Sequence, residues 1–285
     1  MSLQLPEDRY VKVGNINTRF WTLGNEGTVV LLIHGLGGSV ENWMYNINVL
    51  AQYHRVYAID LAGFGRSDKT QILTSFSQGA QFVHDFMEVQ QINKATLVGH
   101  SMGGGVTLQF VIQYPDRIEK MVLVDSVGLG REIHFIVRLI SLPLIGELLT
   151  RPSRNGTVQL LKLYVYDPTL LADELIELLY QLTSLPGAQK SFLSCLRSGV
   201  SFLGFRAAAI RSIIDNLTSI AIPTLVVWGE QDQILPVAHA YFAKDRIPNT
   251  ELQILDPCGH IPQMERPEDF NRLLLEFLAN HKVTM

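Results

Sequence analysis

Two cysteines, Cys195 and Cys258, are too few in 285 residues to form a disulfide framework. Charge is sparse too: Asp, Glu, Lys and Arg make up 18% of the chain, and the net charge is −4. No cluster of Lys and Arg offers the basic face that nucleic acid requires, which excludes that partner. Apolar runs are frequent but short, and none approaches the roughly 18 residues of a membrane span. The longest, Ile133 to Leu149, is interrupted by Arg138, Pro143 and Glu147. Met1 to Arg9 carries acids and a proline where a signal peptide needs a basic start and an apolar run. A soluble, cytoplasmic protein is the expectation. Internal repeats and low-complexity tracts are missing, and nothing in the pattern specifies an oligomeric state.

Hydrophobic residues, by contrast, reach 47%, enough for one large core. Short Val- and Ile-rich runs recur at Val29–Ile33, Val56–Ile59, Ala95–Val98, Met121–Val124 and Thr224–Val227. Runs of this kind, bounded by Gly or Asp, predict strands buried on both faces of a parallel sheet. Helical periods separate them. Phe82, Phe86 and Val89 share one predicted face, and Pro267 opens a C-terminal helix with a Phe270, Leu274 and Phe277 stripe. The alternation stops after Gly130 and resumes at Pro223. Between them lie helical stretches punctuated by Pro143, Pro152, Pro168 and Pro186. The expected organisation is a discontinuous α/β domain (residues 1–130 and 219–285) with an all-helical cap inserted at 131–218. Within Ile133–Leu149, packing onto the sheet domain is favoured over a membrane-touching surface.

Gly99-His100-Ser101-Met102-Gly103 follows one strand and precedes a helix predicted from Val106 to Tyr114. This G-x-S-x-G pattern lifts a serine hydroxyl above the sheet on a sharp, strained turn. A hydroxyl needs an adjacent base, and His260 follows the run Leu252–Leu255 on a late loop. Asp232 follows the strand Thr224–Val227, giving the order Ser, Asp, His. Asp125, at the end of Met121–Val124, is the competing acid, read as an N-cap or turn residue. Glu230 lies too early in its loop to reach His260. The oxyanion donors are expected from Met102 N–H and, in His34-Gly35-Leu36-Gly37-Gly38, from Leu36 N–H. Gly35, Gly37, His100 and Ile261 are the expected substrate contacts, with His100 open between pocket and core. His34 braces the oxyanion loop, Trp43 belongs to the core, and Cys258 is a small buried residue rather than a nucleophile. His34, His100 and His260 lack metal-ligand spacing, and no dinucleotide fingerprint or P-loop is present, so no metal or cofactor is implied.

These segments, with Asp60-Leu61-Ala62-Gly63-Phe64-Gly65-Arg66-Ser67, resemble the α/β-hydrolase superfamily in order and spacing over roughly residues 10–130 and 220–281. The resemblance implies an α/β fold with a mostly parallel sheet, helices on both faces and a helical cap. It implies a serine hydrolase acting on a small-to-medium apolar ester or related carbonyl compound. The nearest likeness is to esterases and to the meta-cleavage-product hydrolases, which cut carbon–carbon bonds with the same triad. The carbon–carbon reaction needs a cation for a substrate carboxylate, for which Arg197, Arg206 and Arg211 are candidates. Those relatives usually carry tryptophan after the base histidine, where this chain has Ile261. A non-turnover ligand receptor on the same scaffold is the reading from another class.

Overall fold

The structure, a computed structural model, describes residues 4–70 and 72–280. Eight strands form one sheet: β1 (Arg9–Val13), β2 (Ile16–Leu23), β3 (Val29–Ile33), β4 (Arg55–Ile59), β5 (Ala95–His100), β6 (Ile118–Val124), β9 (Thr224–Gly229) and β10 (Thr250–Leu255). Their spatial order is β1-β2-β4-β3-β5-β6-β9-β10. Every pair from β4 to β10 is parallel; β2 runs antiparallel to both β1 and β4. The parallel strands are apolar along both faces because helices cover both. One cluster joins Leu31, Ile33 and Leu97 to Phe86, and another joins Leu32, Val98 and Val227 to Phe270 and Phe277. The architecture is the expected α/β one.

The helices in chain order are α1 (Ile47–Leu50), α2 (Phe76–Val89), α3 (Met102–Gln113), α4 (Phe135–Ile140), α5 (Ile145–Leu149), α6 (Arg154–Tyr164), α7 (Asp173–Thr183), α8 (Ala188–Gly199), α9 (Ala207–Ile214), α10 (Ala238–Arg246), α11 (Pro262–Glu265) and α12 (Pro267–Asn280). Helix α3 starts directly after Ser101, four residues earlier than periodicity suggested, since the glycines of its first turn carry no apolar signal. Val89 departs from the predicted stripe: Phe82 and Phe86 are buried, but Val89, the last residue of α2, is exposed.

Helices α4 to α9 occupy the break between β6 and β9. The insertion is not all helical. A hairpin of β7 (Val200–Ser201) and β8 (Gly204–Phe205) turns through Phe202-Leu203, with Gly204 at φ 99°, a conformation that suits glycine. Two-residue strands leave no periodic trace to read. The 131–149 stretch also departs from simple packing. Ile133 and Ile140 are buried, whereas Leu144 and Leu148 stand 83% and 74% exposed.

The strand ends are fastened by charge as well as packing. Arg19 on β2 is buried and donates to Glu41 at 2.7 and 3.1 Å, and it pairs with Asp8 and Asp60. Asp60 in turn accepts from the Val40 and Arg66 amides, both at 2.7 Å. The loop after β4 is thereby tied to the loop after β3.

Candidate active site

Strands β3, β5, β6, β9 and β10 are consecutive neighbours, all parallel, so the loops at their carboxyl ends meet along one edge. Open α/β sheets bind ligands at such an edge. The residues of interest lie in those five loops.

Ser101 sits between β5 and α3 at φ 52°, ψ −116°, a strained conformation for a residue with a side chain. Its surroundings hold it there. The Ser101 amide donates to Val124 O at 2.8 Å, and its carbonyl accepts from the Gly104, Gly105 and Val127 amides. The flanking glycines permit the close approach: a Cβ on Gly99 would lie 2.3 Å from Gly103 O, and one on Gly103 would lie 2.3 Å from Ile33 O.

His260 Nε2 lies 3.1 Å from Ser101 Oγ, and its Nδ1 lies 2.7 Å from Asp232 Oδ2. Asp232 Oδ1 accepts from the Ile234 and Leu235 amides at 2.7 and 3.1 Å. With Asp232 oxygens accepting on both sides, the bond to Nδ1 selects the His260 tautomer that carries its proton there and turns Nε2 toward Ser101 Oγ.

Asp125 caps no helix and is not the partner of His260; it stands at the bend after β6, at φ 42°, in keeping with the turn reading. It is fully buried at the end of β6, where one oxygen accepts from the Gly229 amide of β9 at 3.1 Å. Its carboxyl lies within 4.8 Å of Asp232 and His260. Burial, reinforced by the neighbouring Asp232 charge, pushes Asp125 well above the usual carboxylate range. Protonated, it can donate to Asp232. The three side chains have the composition of a metal site, but both Asp232 oxygens and His260 Nδ1 are already engaged with one another or with amides. Asp232, His260 and Ser101 form a continuous chain of hydrogen bonds, with Asp125 buried beside it.

Gly38 N–H donates to Gly35 O at 3.1 Å, closing a tight turn with Gly37 at φ 74° in its third position. Among the described residues, the Leu36 amide at the crest of this turn has no backbone acceptor. Met102 opens α3, where amides lack intrahelical partners. Leu36, Met102, Gly35, Gly37, His100 and Ile261 all line one cavity of about 800 Å³ with Ser101 and His260. His34 does brace the loop: its ring bonds Gly35 O at 2.7 Å and accepts from Leu61 N at 3.0 Å, and burial lowers its pKa to about 4. His100 faces the cavity while bonding His260 O at 2.8 Å, and burial keeps its pKa well below the ordinary value. Trp43 is core. Cys258 is buried beside Glu265, and burial pushes its thiol well up, so a thiolate is disfavoured there.

Two contributors escaped sequence reasoning. Tyr164, closing α6 in the insertion, packs edge-on against the His260 ring at 5.4 Å, and its carbonyl accepts the His260 amide at 2.6 Å. Glu265 in α11 is buried. One of its oxygens accepts from Tyr166 and Asp167 in the insertion, and the other accepts from Gly259 at 2.7 Å. The only sequence trace was an acid shortly after the histidine.

Residues 30–273 match the model of the Alpha/beta hydrolase family. The chain belongs to that family. It is 32% identical to the 2-hydroxy-6-oxo-6-(2'-aminophenyl)hexa-2,4-dienoic acid hydrolase of Metapseudomonas resinovorans, covering 95% of this chain and 91% of that one. It is 33% identical to the dihydrolipoyllysine-residue acetyltransferase component of the acetoin cleaving system of Cupriavidus necator, covering 95% and 69% respectively. A solved structure, the meta-cleavage product hydrolase of Pseudomonas fluorescens IP01, superposes with a TM-score of 0.81 at 28% identity, covering 94% and 96%. This family member thus shares its fold with a meta-cleavage product hydrolase.

Proposed function

We propose that this chain is a serine hydrolase that cleaves small-to-medium apolar carboxylic esters through an acyl-enzyme on Ser101, beneath a cap formed by residues 131–218. The observation that carries the reading is the unbroken relay from Asp232 through His260 to Ser101, opening into a cavity whose described lining contains no Asp or Glu. His260 Nε2 takes the hydroxyl proton as Ser101 Oγ bonds the carbonyl carbon. The Leu36 and Met102 amides receive the oxyanion. The intermediate collapses, the carbon–oxygen bond breaks, and the departing alcohol takes the proton from His260. Water then repeats the sequence and releases the acid. A ligand receptor has no need of a strained serine or of this relay, so turnover is favoured over retention.

Carbon–carbon hydrolysis is the second reading, favoured by the named ring-cleavage relatives. It further requires a cation for the substrate carboxylate; Lys69, Arg151 and Arg206 line the cavity, Arg206 alone of the three arginines singled out in the sequence. Arg197 is committed to Glu147 and to the Ser141 and Leu142 carbonyls. Arg211 is exposed and away from the cavity, leaving Arg206 on its wall. Ile261 puts aliphatic surface beside His260. Steady-state kinetics on both substrate types should give kcat/KM for a medium-chain aryl ester at least roughly tenfold above that for a ring-cleaved diketone acid, about 1.4 kcal/mol. A diketone acid turned over faster than every ester tried would replace the first reading with the second.

A further inference from the structure

Helix α5 and the residue before it place four large aliphatic side chains on the surface of the insertion: Leu144, Ile145, Leu148 and Leu149, exposed by 83%, 40%, 74% and 48%. Helix spacing puts Leu144 over Leu148 and Ile145 over Leu149. Phe135 at the start of α4 and Phe202 in the hairpin add an exposed aromatic pair, 5.9 Å apart. Single exposed aliphatic side chains are ordinary, but four within six residues are not.

The patch adjoins the cavity. Leu149, the last residue of α5, and Thr150, Arg151, Pro152 and Ser153 that follow it belong to the cavity wall. Its charge is one-sided. Residues 131–166 contain five Arg or Lys and two acids, in a chain whose net charge is −4; one of the five, Arg154, pairs with Asp173 beyond that segment. Both acids are engaged: Glu147 with Arg197, and Glu132 with His239. Arg151 and Arg206 are exposed and line the cavity, whose described lining holds cations and no carboxylate.

We infer that this face of the insertion docks on an anionic lipid surface, seating Leu144 and Leu148 among the acyl chains with Arg151 at the headgroups. Apolar side chains rimmed by cations are what such an interface recognises, hydrophobic burial and headgroup attraction acting together. Docking in this pose sets the Leu149–Ser153 wall against the lipid, so an acyl chain can reach Ser101 without crossing water. That the delivered substrate is a lipid ester rests on the hydrolase reading; the docking does not.

The test uses the full chain carrying Ser101→Ala, so that vesicles are not consumed, in flotation with phosphatidylcholine vesicles with or without about one-third phosphatidylglycerol. Binding should require the anionic lipid and weaken as salt rises from about 0.05 to about 0.5 M. Leu144→Ser with Leu148→Ser, both outside the cavity wall, should weaken partitioning at least about tenfold. On the Ser101 form that pair should leave kcat/KM for a soluble short-chain aryl ester unchanged. Arg151→Glu, in the Ser101→Ala form, should weaken binding to anionic vesicles alone. Absence of binding, or binding indifferent to these substitutions, overturns the inference. So does a protein that self-associates by light scattering and becomes monomeric with the double substitution, because the face then covers a second copy. Vesicle binding without ester turnover would uphold docking and remove the hydrolase reading.

Discussion

Ser101, at the end of β5, has its carbonyl taken by three amides and its flanking glycines pressed against neighbouring backbone, whereas Leu144 and Leu148 in the insertion stand in solvent. The contrast extends further. Of the fourteen large apolar side chains exposed among the described residues, nine fall between 131 and 218, under a third of the chain. The sheet side is over-determined, as a strained reactive turn must be to persist. The insertion leaves more apolar side chains in solvent and supplies much of the cavity wall. The two regions share one core, in which Ile210 and Ile213 of the insertion pack with Val106 and Leu108 of α3, and beside His260 they are joined by Tyr164 and Glu265.

The largest expected effect lies wholly on the sheet side and separates its two acids. Asp232→Asn should lower ester kcat by about 10⁴, because the amide favours the wrong His260 tautomer. Asp125→Asn should cost less than tenfold, since an amide can keep a donor facing Asp232. Parallel kcat measurements decide this, and the reverse ranking would move the triad acid to β6.

Acid sensitivity gives the next difference. His34 stays neutral in the fold down to about pH 4 because of burial, while an unfolded imidazole takes its proton near the ordinary value of 6.5. Between those values the unfolded chain binds more protons, so stability falls as pH falls. His34→Asn removes that contribution. Between pH 7 and pH 5, wild type should lose on the order of 2 kcal/mol more than the variant, read from denaturant midpoints. Equal losses would show that His34 does not hold this contribution.

The smallest effect tests the joint. Glu265→Gln places an NH₂ against amides of the insertion or of Gly259, costing about 1–3 kcal/mol of stability. Ester kcat should fall about tenfold through a displaced His260 loop, with KM changing less. An unchanged kcat would mean that the insertion does not help to hold the base.

What the sequence made legible follows the same division. The Ser101 elbow, the His34–Gly38 loop and the order Ser101, Asp232, His260 are local patterns dictated by turn geometry, and the structure brings those residues together. The central parallel strands declare themselves because burial on both faces demands continuous apolar runs. β1 and β2 were missed because polar residues such as Lys12, Asn17 and Arg19 interrupt them, and Arg19 is buried only by virtue of Glu41 and Asp60. Glu265 and Tyr164 were missed because their partners lie about a hundred residues away along the chain. The exposure of Leu144 depends on how α5 packs, which periodicity over five residues does not reveal.

The proposed reaction depends on Ser101, activated by His260, as the nucleophile. Incubation with an activated aryl phosphonate followed by intact-mass and peptide mapping tests it without knowledge of the natural substrate. One adduct per chain is expected, on Ser101, absent in Ser101→Ala and forming at least about 10²-fold more slowly in His260→Ala. An adduct on Cys195, Cys258 or another serine, or one that survives Ser101→Ala at the wild-type rate, would show that Ser101 is not the nucleophile.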